Sequence, residues 1–342
     1  MDGVELVALA DEDAAGRKKK AEELGVKATY ADYREMLAQE RPDLVSIGVR
    51  WLDPHHDMVI ACAEHGASIF LEKPMCRTLA EADAMVRACE MAHVKLVMAH
   101  PTRYSPKVPV VKKLLAEKVL GEVIEFRARG KEDLRGGGED LWVLGTHLMD
   151  LMRLFGGEPK WCFATVLANG QPVTRDDVHK GNEGIGPLAG DAIDAMFGFQ
   201  SGITAYFSSH RSLRGRPPRF ALSIYGSKGL LEMSTGYLPA TKLLLDSSWS
   251  PGRSGKSWVD VSSAGPEKPE PLENHGYGSY AANTLMAQDL IRSIEEDGQP
   301  LGSIYEGRGA TEMIVAVFES HRQGGPVKLP LENRDHPLTM LR

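Results

Sequence analysis

The sequence predicts an α/β domain with a parallel sheet, followed by an α+β domain built on an open antiparallel sheet. Length is the first ground: 342 residues exceed one ordinary domain and fit two. Second, up to about residue 100 short apolar runs alternate with helical stretches, the pattern of βαβ units that lay strands side by side in parallel. Third, from Asp191 onward strand-like runs follow one another across tight turns such as Gln200-Ser201-Gly202 and Gly226-Ser227-Lys228-Gly229, as in an antiparallel meander. The boundary falls between residues 1–102 and 103–342.

Each element has its own signal. Val4–Leu9 reads as a strand with Asp11 just past its tip, and a helix is expected over Ala14–Leu24 because Gly25 stands where a left-handed C-cap belongs. Asp32 is placed to cap a helix through Leu37; Leu44–Val49 is a buried strand, and a helix from about His56 to His65 is closed by Gly66. Ala67–Leu71 is an apolar run too short for a helix and therefore a buried parallel strand. Thr78-Leu79-Ala80-Glu81 is a capping box opening a helix to about Ala92, and Lys95–Ala99 is the next strand. Beyond it come a helix near Lys107–Lys118, a strand Glu122–Arg129, a glycine-rich loop Arg135–Asp140 and a helical segment Leu141–Phe155. The expected meander comprises Ala192–Gln200, Ile203–His210, Phe220–Tyr225, Leu230–Met233 and Lys242–Asp246. Ser247–Pro271, rich in Ser, Pro and Gly, reads as one long loop, and two helices (about Tyr280–Glu296 and Gly307–Gln323) and a strand Val327–Leu331 finish the chain.

The stretch Phe70-Leu71-Glu72-Lys73-Pro74 holds the chemistry of the first domain. A buried strand ends abruptly in an acid, a base and a proline, and the proline keeps Lys73 extended at the strand's carboxyl end. In open α/β sheets that end is where ligands bind. A lysine there is partly desolvated and aimed at a substrate, with Glu72 beside it to hold or tune it. Asp11 occupies the equivalent strand tip, where an acid holds an adenosine ribose in dinucleotide folds, although an acid near a helix start is also ordinary. His147 and Asp150 lie three apart and share a helix face.

Composition narrows the class. A net charge of −7 and a pI near 5.9 exclude nucleic acid and anionic membrane as natural partners. Four cysteines show neither metal-ligand spacing nor a disulfide framework, which suits a reducing, cytoplasmic compartment, and no metal is expected. No apolar run reaches the roughly 20 residues that cross a bilayer.

Together, Val7-Ala8-Leu9-Ala10-Asp11, Phe70-Leu71-Glu72-Lys73-Pro74, Arg103-Tyr104-Ser105-Pro106, Gly145-Thr146-His147-Leu148-Met149-Asp150 and Val327–Leu331 resemble the Gfo/Idh/MocA oxidoreductases over nearly the whole chain. The resemblance implies a Rossmann-like NAD(P)-binding domain, then a substrate and oligomerisation domain. It implies dehydrogenation of a secondary alcohol on a sugar, cyclitol or derivative, with His147 as base and Lys73 as hydrogen-bond donor. It assigns Asp11, Trp51, His56, Glu72, Lys73 and Pro74 to the cofactor, and Lys73, Arg103, Tyr104, His147 and Asp150 to the substrate. NAD is expected over NADP because the Asp11 carboxylate repels a 2′-phosphate. A homo-oligomer through the second-domain sheet is expected, since an open face of alternating apolar residues calls for a cover.

Three departures keep other readings open. Val143 stands four residues before His147, where many family dehydrogenases have an aspartate; Glu139 or Asp140, one turn earlier, are the nearest substitutes. The family's Thr-Pro-Asn stretch is replaced by Val49-Arg50-Trp51, and the chain opens on what corresponds to the second strand, without the first strand and its glycine turn for the pyrophosphate. The sequence as written is therefore expected to hold dinucleotide poorly. The alternatives are a redox-neutral, NAD-assisted lyase, hydrolase or epimerase, and a catalytically silent ligand-binding subunit.

Overall fold

A computed structural model describes residues 3–273 and 280–342. The first domain runs β1 (Ala8–Ala10), α1 (Ala14–Leu24), β2 (Ala28–Tyr30), α2 (Tyr33–Glu40), β3 (Leu44–Ile47), α3 (His55–Glu64), β4 (Ser68–Leu71), α4 (Leu79–Ala92) and β5 (Leu96–Met98). Local chemistry fixes these ends. The Asp13 carboxylate accepts from Ala15 N and Gly16 N at the start of α1, and Gly25 closes that helix at φ 69°. Asp32 caps α2 through Arg34 N. The capping box before α4 forms in half: Thr78 Oγ1 takes Glu81 N at 3.1 Å, but the Glu81 carboxylate turns to Arg77 N instead of reaching back to Thr78.

All strand pairings in this domain are parallel, in two separate sheets: β1 with β2, and β3-β4-β5 with Ile47 opposite Leu71 and Leu71 opposite Met98. β4 is central in its sheet and buried at all four positions, as its apolar run required. β1 is shorter than expected, because only Ala8–Ala10 find a ladder and Val4, Leu6 and Val7 stay 50%, 55% and 40% exposed.

The second domain begins with α5 (Lys107–Ala116), β6 (Val123–Arg129), α6 (Gly138–Val143), α7 (Gly145–Gly156) and β7 (Pro159–Ala168). Its eleven-stranded sheet is mixed: β6 lies between Ala221–Gly226, to which it is antiparallel, and Thr204–His210, to which it is parallel. Ala192–Phe199 and β7 follow in order. β7 has no counterpart in the expected meander; its run opens on a proline and alternates, burying Cys162, Ala164 and Val166 while Phe163 faces outward. The stretch expected as one long loop contains a helical turn, Pro251–Ser254, and the short strands Val259–Ser262 and Gly265–Pro266. Asp246 organises its entry, accepting from Ser248 N, Ser248 Oγ, Ser250 N and Ser254 Oγ, which also ends the preceding strand at Leu244.

One helix, Ile304–Gln323, packs against β7, α7 and α4 and joins the cores of both domains. The helix Ala281–Glu295 lays Met286 and Leu290 against Phe70, Val97 and Ala99 of the first domain. All four cysteines are free and buried, and burial pushes the Cys62 and Cys89 thiols up to about 12. Among the described residues no helix is long and apolar enough to cross a membrane, and no group of His, Cys, Asp and Glu is arranged to hold a metal.

Candidate active site

The carboxyl ends of β3 and β4 open into a cleft of about 340 Å³ between the domains. Gly48, Arg50, Glu72 and Lys73 line it from the first domain, and Arg135, Val143, Leu144 and Glu183 from the second. The position follows from the topology, since parallel strands present their carboxyl ends, and the loops that leave them, on one side.

Lys73 is half-buried, and its Nζ donates to the Val143 carbonyl at 3.2 Å. Desolvation pulls its pKa down from the ordinary lysine value, while Glu72 and Glu183 oppose that shift. Pro74 is buried behind it. The turn is fixed from beneath by His55, which is 0% exposed; its Nε2 lies 2.8 Å from the Val49 carbonyl and its Nδ1 3.0 Å from that of Pro74. One imidazole thus ties the loop after β3 to the turn after β4. His56, one residue on, turns outward and pairs with Asp57 at 2.8 Å, so this tie belongs to its neighbour.

His147 reaches the same region from α7. Neither ring nitrogen has a hydrogen-bond partner among the described residues, and Nδ1 is sealed from solvent. Burial drives its pKa well below 6.5, and the neighbouring Lys73 and His100 add to that effect. The imidazole is therefore neutral near pH 7, as a group that takes up a proton must be. The ring of His100 meets it edge-on at 5.6 Å.

Arg103, Tyr104 and Asp150 are placed elsewhere. Arg103 donates to the Asp150 carboxylate through Nε at 3.0 Å and Nη2 at 2.7 Å, and to Glu306 at 3.1 Å. His100 Nδ1 stands 3.3 Å from the same carboxylate. Burial alone would raise the Asp150 pKa, but its contacts with His100 and the Arg103 guanidinium outweigh it and hold the carboxyl well below its ordinary range. Tyr104 donates to Asp289 Oδ2 at 2.7 Å and accepts from Gly302 N at 2.9 Å, binding the end of β5 to the helix Ala281–Glu295. These residues form a sealed junction and do not line the cleft.

The two acids weighed as substitutes for the missing aspartate also face away. Asp140 accepts from Ser209 Oγ at 2.6 Å and Glu132 N at 3.0 Å, and Glu139 accepts from Asn182 Nδ2 at 3.0 Å. The second-domain carboxylate that does line the cleft is Glu183, which no motif marks.

The residues fit a dinucleotide at its two ends. Asp11 stands exposed beyond β1, with Oδ1 accepting from Asp13 N at 2.9 Å, where a ribose diol would be held. Trp51, 54% exposed, follows Arg50, which lines the cleft near Lys73 where a nicotinamide would lie. Between those ends the described residues contain no glycine-rich turn for the pyrophosphate. Fold and site together define a two-domain oxidoreductase whose first domain is of the NAD-binding type.

Residues 1–100 match the family described as an oxidoreductase family with an NAD-binding Rossmann fold, and residues 110–232 match the GFO/IDH/MocA C-terminal domain. The chain belongs to the Gfo/Idh/MocA oxidoreductase family. It is 29% identical to a D-apiose dehydrogenase of Paraburkholderia graminis over 252 residues, spanning 69% of this chain and 63% of that relative. A levoglucosan dehydrogenase of Pseudarthrobacter phenanthrenivorans is 24% identical, with 91% of this chain and 86% of the relative covered. Among solved structures, levoglucosan dehydrogenase in complex with NADH and levoglucosan superposes with a TM-score of 0.75 at 22% identity, covering 95% of this chain and 90% of that one. An oxidoreductase from Agrobacterium radiobacter in complex with NAD+, L-tartaric acid and magnesium gives 0.72 at 20%, covering 96% and 92%.

Proposed function

We infer that the protein is an NAD-dependent dehydrogenase that oxidises a secondary alcohol of a sugar or cyclitol. The observation behind this reading is a neutral His147 of the second domain close enough to Lys73 to feel its charge, with Lys73 lining the cleft at the carboxyl ends of β3 and β4. Nicotinamide bound in that cleft supplies the hydride acceptor. The chain's own groups handle the rest. Lys73 Nζ, with one bond to Val143 and donors to spare, holds the substrate oxygen and stabilises negative charge as it develops. His147 takes the hydroxyl proton on a ring nitrogen that nothing else occupies. Asp11 favours NAD by repelling a 2′-phosphate. Phe163 and Tyr206, 40% and 39% exposed on the sheet, fit the expected homo-oligomer through that face.

The test is turnover of the full chain with NAD on D-apiose, D-xylose, levoglucosan and myo-inositol, followed by nicotinamide absorbance. Accumulating NADH supports the dehydrogenase. Product formation without net NADH points to the redox-neutral reading, and binding of a polyol with no reaction to the silent one.

A further inference from the structure

The cleft contains a carboxylate that the proposed reaction has not used. Glu183 sits in the turn Asn182–Ile185, 8% exposed, with a left-handed backbone at φ 53°. A non-glycine residue is disfavoured in that region, so the surrounding contacts must hold it there. They do: the Glu183 carbonyl accepts Leu52 N at 2.8 Å, and Gly184 packs so closely on Asp53 that a Cβ would run into its carboxylate. A turn of the second domain is thereby stitched to the loop after β3.

The side chain is less complete than the backbone. Arg50 Nη2 binds Glu183 Oε1, and Arg50 is itself 71% exposed in its side chain. Oε2 has no partner among the described residues, and it is not sealed from solvent. A carboxylate has about four acceptor positions, so this one retains capacity on the cleft side. Lys73 Nζ, with its one bond to the Val143 carbonyl, likewise keeps donors to spare.

We propose that Glu183 is the specificity-determining carboxylate of the site, accepting a hydrogen bond from the hydroxyl next to the one that is oxidised. The substrate is then a vicinal diol: one hydroxyl between Lys73 and His147, its neighbour on Glu183. This rests on the polyol dehydrogenase reading above, and the experiment separates the two.

Dissociation constants by calorimetry and kcat/KM are measured on the full chain with NAD, for the panel polyol that binds best and for its monodeoxy analogues. Wild type should disfavour the analogue lacking the neighbouring hydroxyl by about tenfold or more, the scale of a hydrogen bond to a charged group. Glu183→Gln should flatten that preference in both measurements. Glu139→Gln, which removes a nearby carboxylate outside the cleft, should keep it. Should Glu183→Gln fail to fold, Glu183→Asp serves instead by withdrawing the carboxylate one methylene from the cleft, with the same flattening expected. An unchanged preference in the variant overturns the proposal and leaves Glu183 as a tether between loops, while the parent reading stands. A wild type that neither binds nor turns over any panel polyol overturns both.

Discussion

His147 and Asp150 stand three residues apart on α7 and end in opposite electrostatic surroundings. Asp150 meets Arg103 through paired bonds and His100 at 3.3 Å, in a cluster that continues to Glu306 and Arg153. Its acceptors are occupied and its pKa is low because its neighbours want it charged. His147 has no hydrogen-bond partner among the described residues, and its pKa is low first because burial favours the neutral ring, with Lys73 and His100 adding to that effect. A shift of the same sign therefore means two different things. A saturated buried charge is a structural joint; an unsaturated group beside a cleft is available to a ligand.

That contrast is easiest to break by mutation. Lys73→Ala and His147→Ala should each lower kcat by about 10²- to 10⁴-fold with little change in melting temperature. A near-normal turnover in either would dissolve the distinction. Asp150→Asn should do the reverse, leaving Arg103 buried without a full counter-charge and costing about 3–5 kcal/mol by urea unfolding, while the folded fraction keeps most of its turnover.

Acid titration sharpens the same point. The Asp150 carboxyl titrates lower folded than unfolded, so its stabilisation is complete above the ordinary value of 3.8 and is lost as pH falls through the folded value. Wild type should lose stability more steeply than Asp150→Asn on that limb. His147 also titrates lower when folded, so below 6.5 the unfolded chain takes the proton first and stability declines as pH drops. His147→Ala should flatten this second limb, and an unaltered slope would show that the ring is not buried neutral. The smallest expected effect is at the exposed strand tip: Asp11→Ala should weaken NAD binding by roughly tenfold in calorimetry and narrow the gap to NADP.

The readable parts of this protein were those written in local chemistry. Gly25, Asp32 and Thr78 mark helix ends through bonds to residues within four positions, and the β4 run reads as a buried strand. Lys73 could be singled out because a buried strand ends at it, whereas for His147 periodicity gave only a helix face shared with Asp150, and its role came from the resemblance to the family. Glu183 was not, because it meets Arg50 across 133 positions and only the packed loops bring it to the cleft. His55, the inward residue at the start of α3, carries no motif of its own, and its tie to the Val49 and Pro74 carbonyls appears only in the packed structure. Arg103 and Tyr104 have the right types for a cleft, and what seals them comes from residues near 150, 289 and 306. β7 escaped notice for a similar reason, since its alternation makes sense only beside Ala192–Phe199.

The buried thiols have a use beyond packing. A thiol held in its protonated form and closed to solvent reacts with a disulfide reagent only when the surrounding structure opens. Cys62, Cys76 and Cys89 lie in the domain whose sheet comes in two pieces, and Cys162 lies in β7, inside the continuous sheet. The chain therefore contains two native clocks, and mass spectrometry of time-resolved labelling would show which half breathes first and whether the dinucleotide slows it.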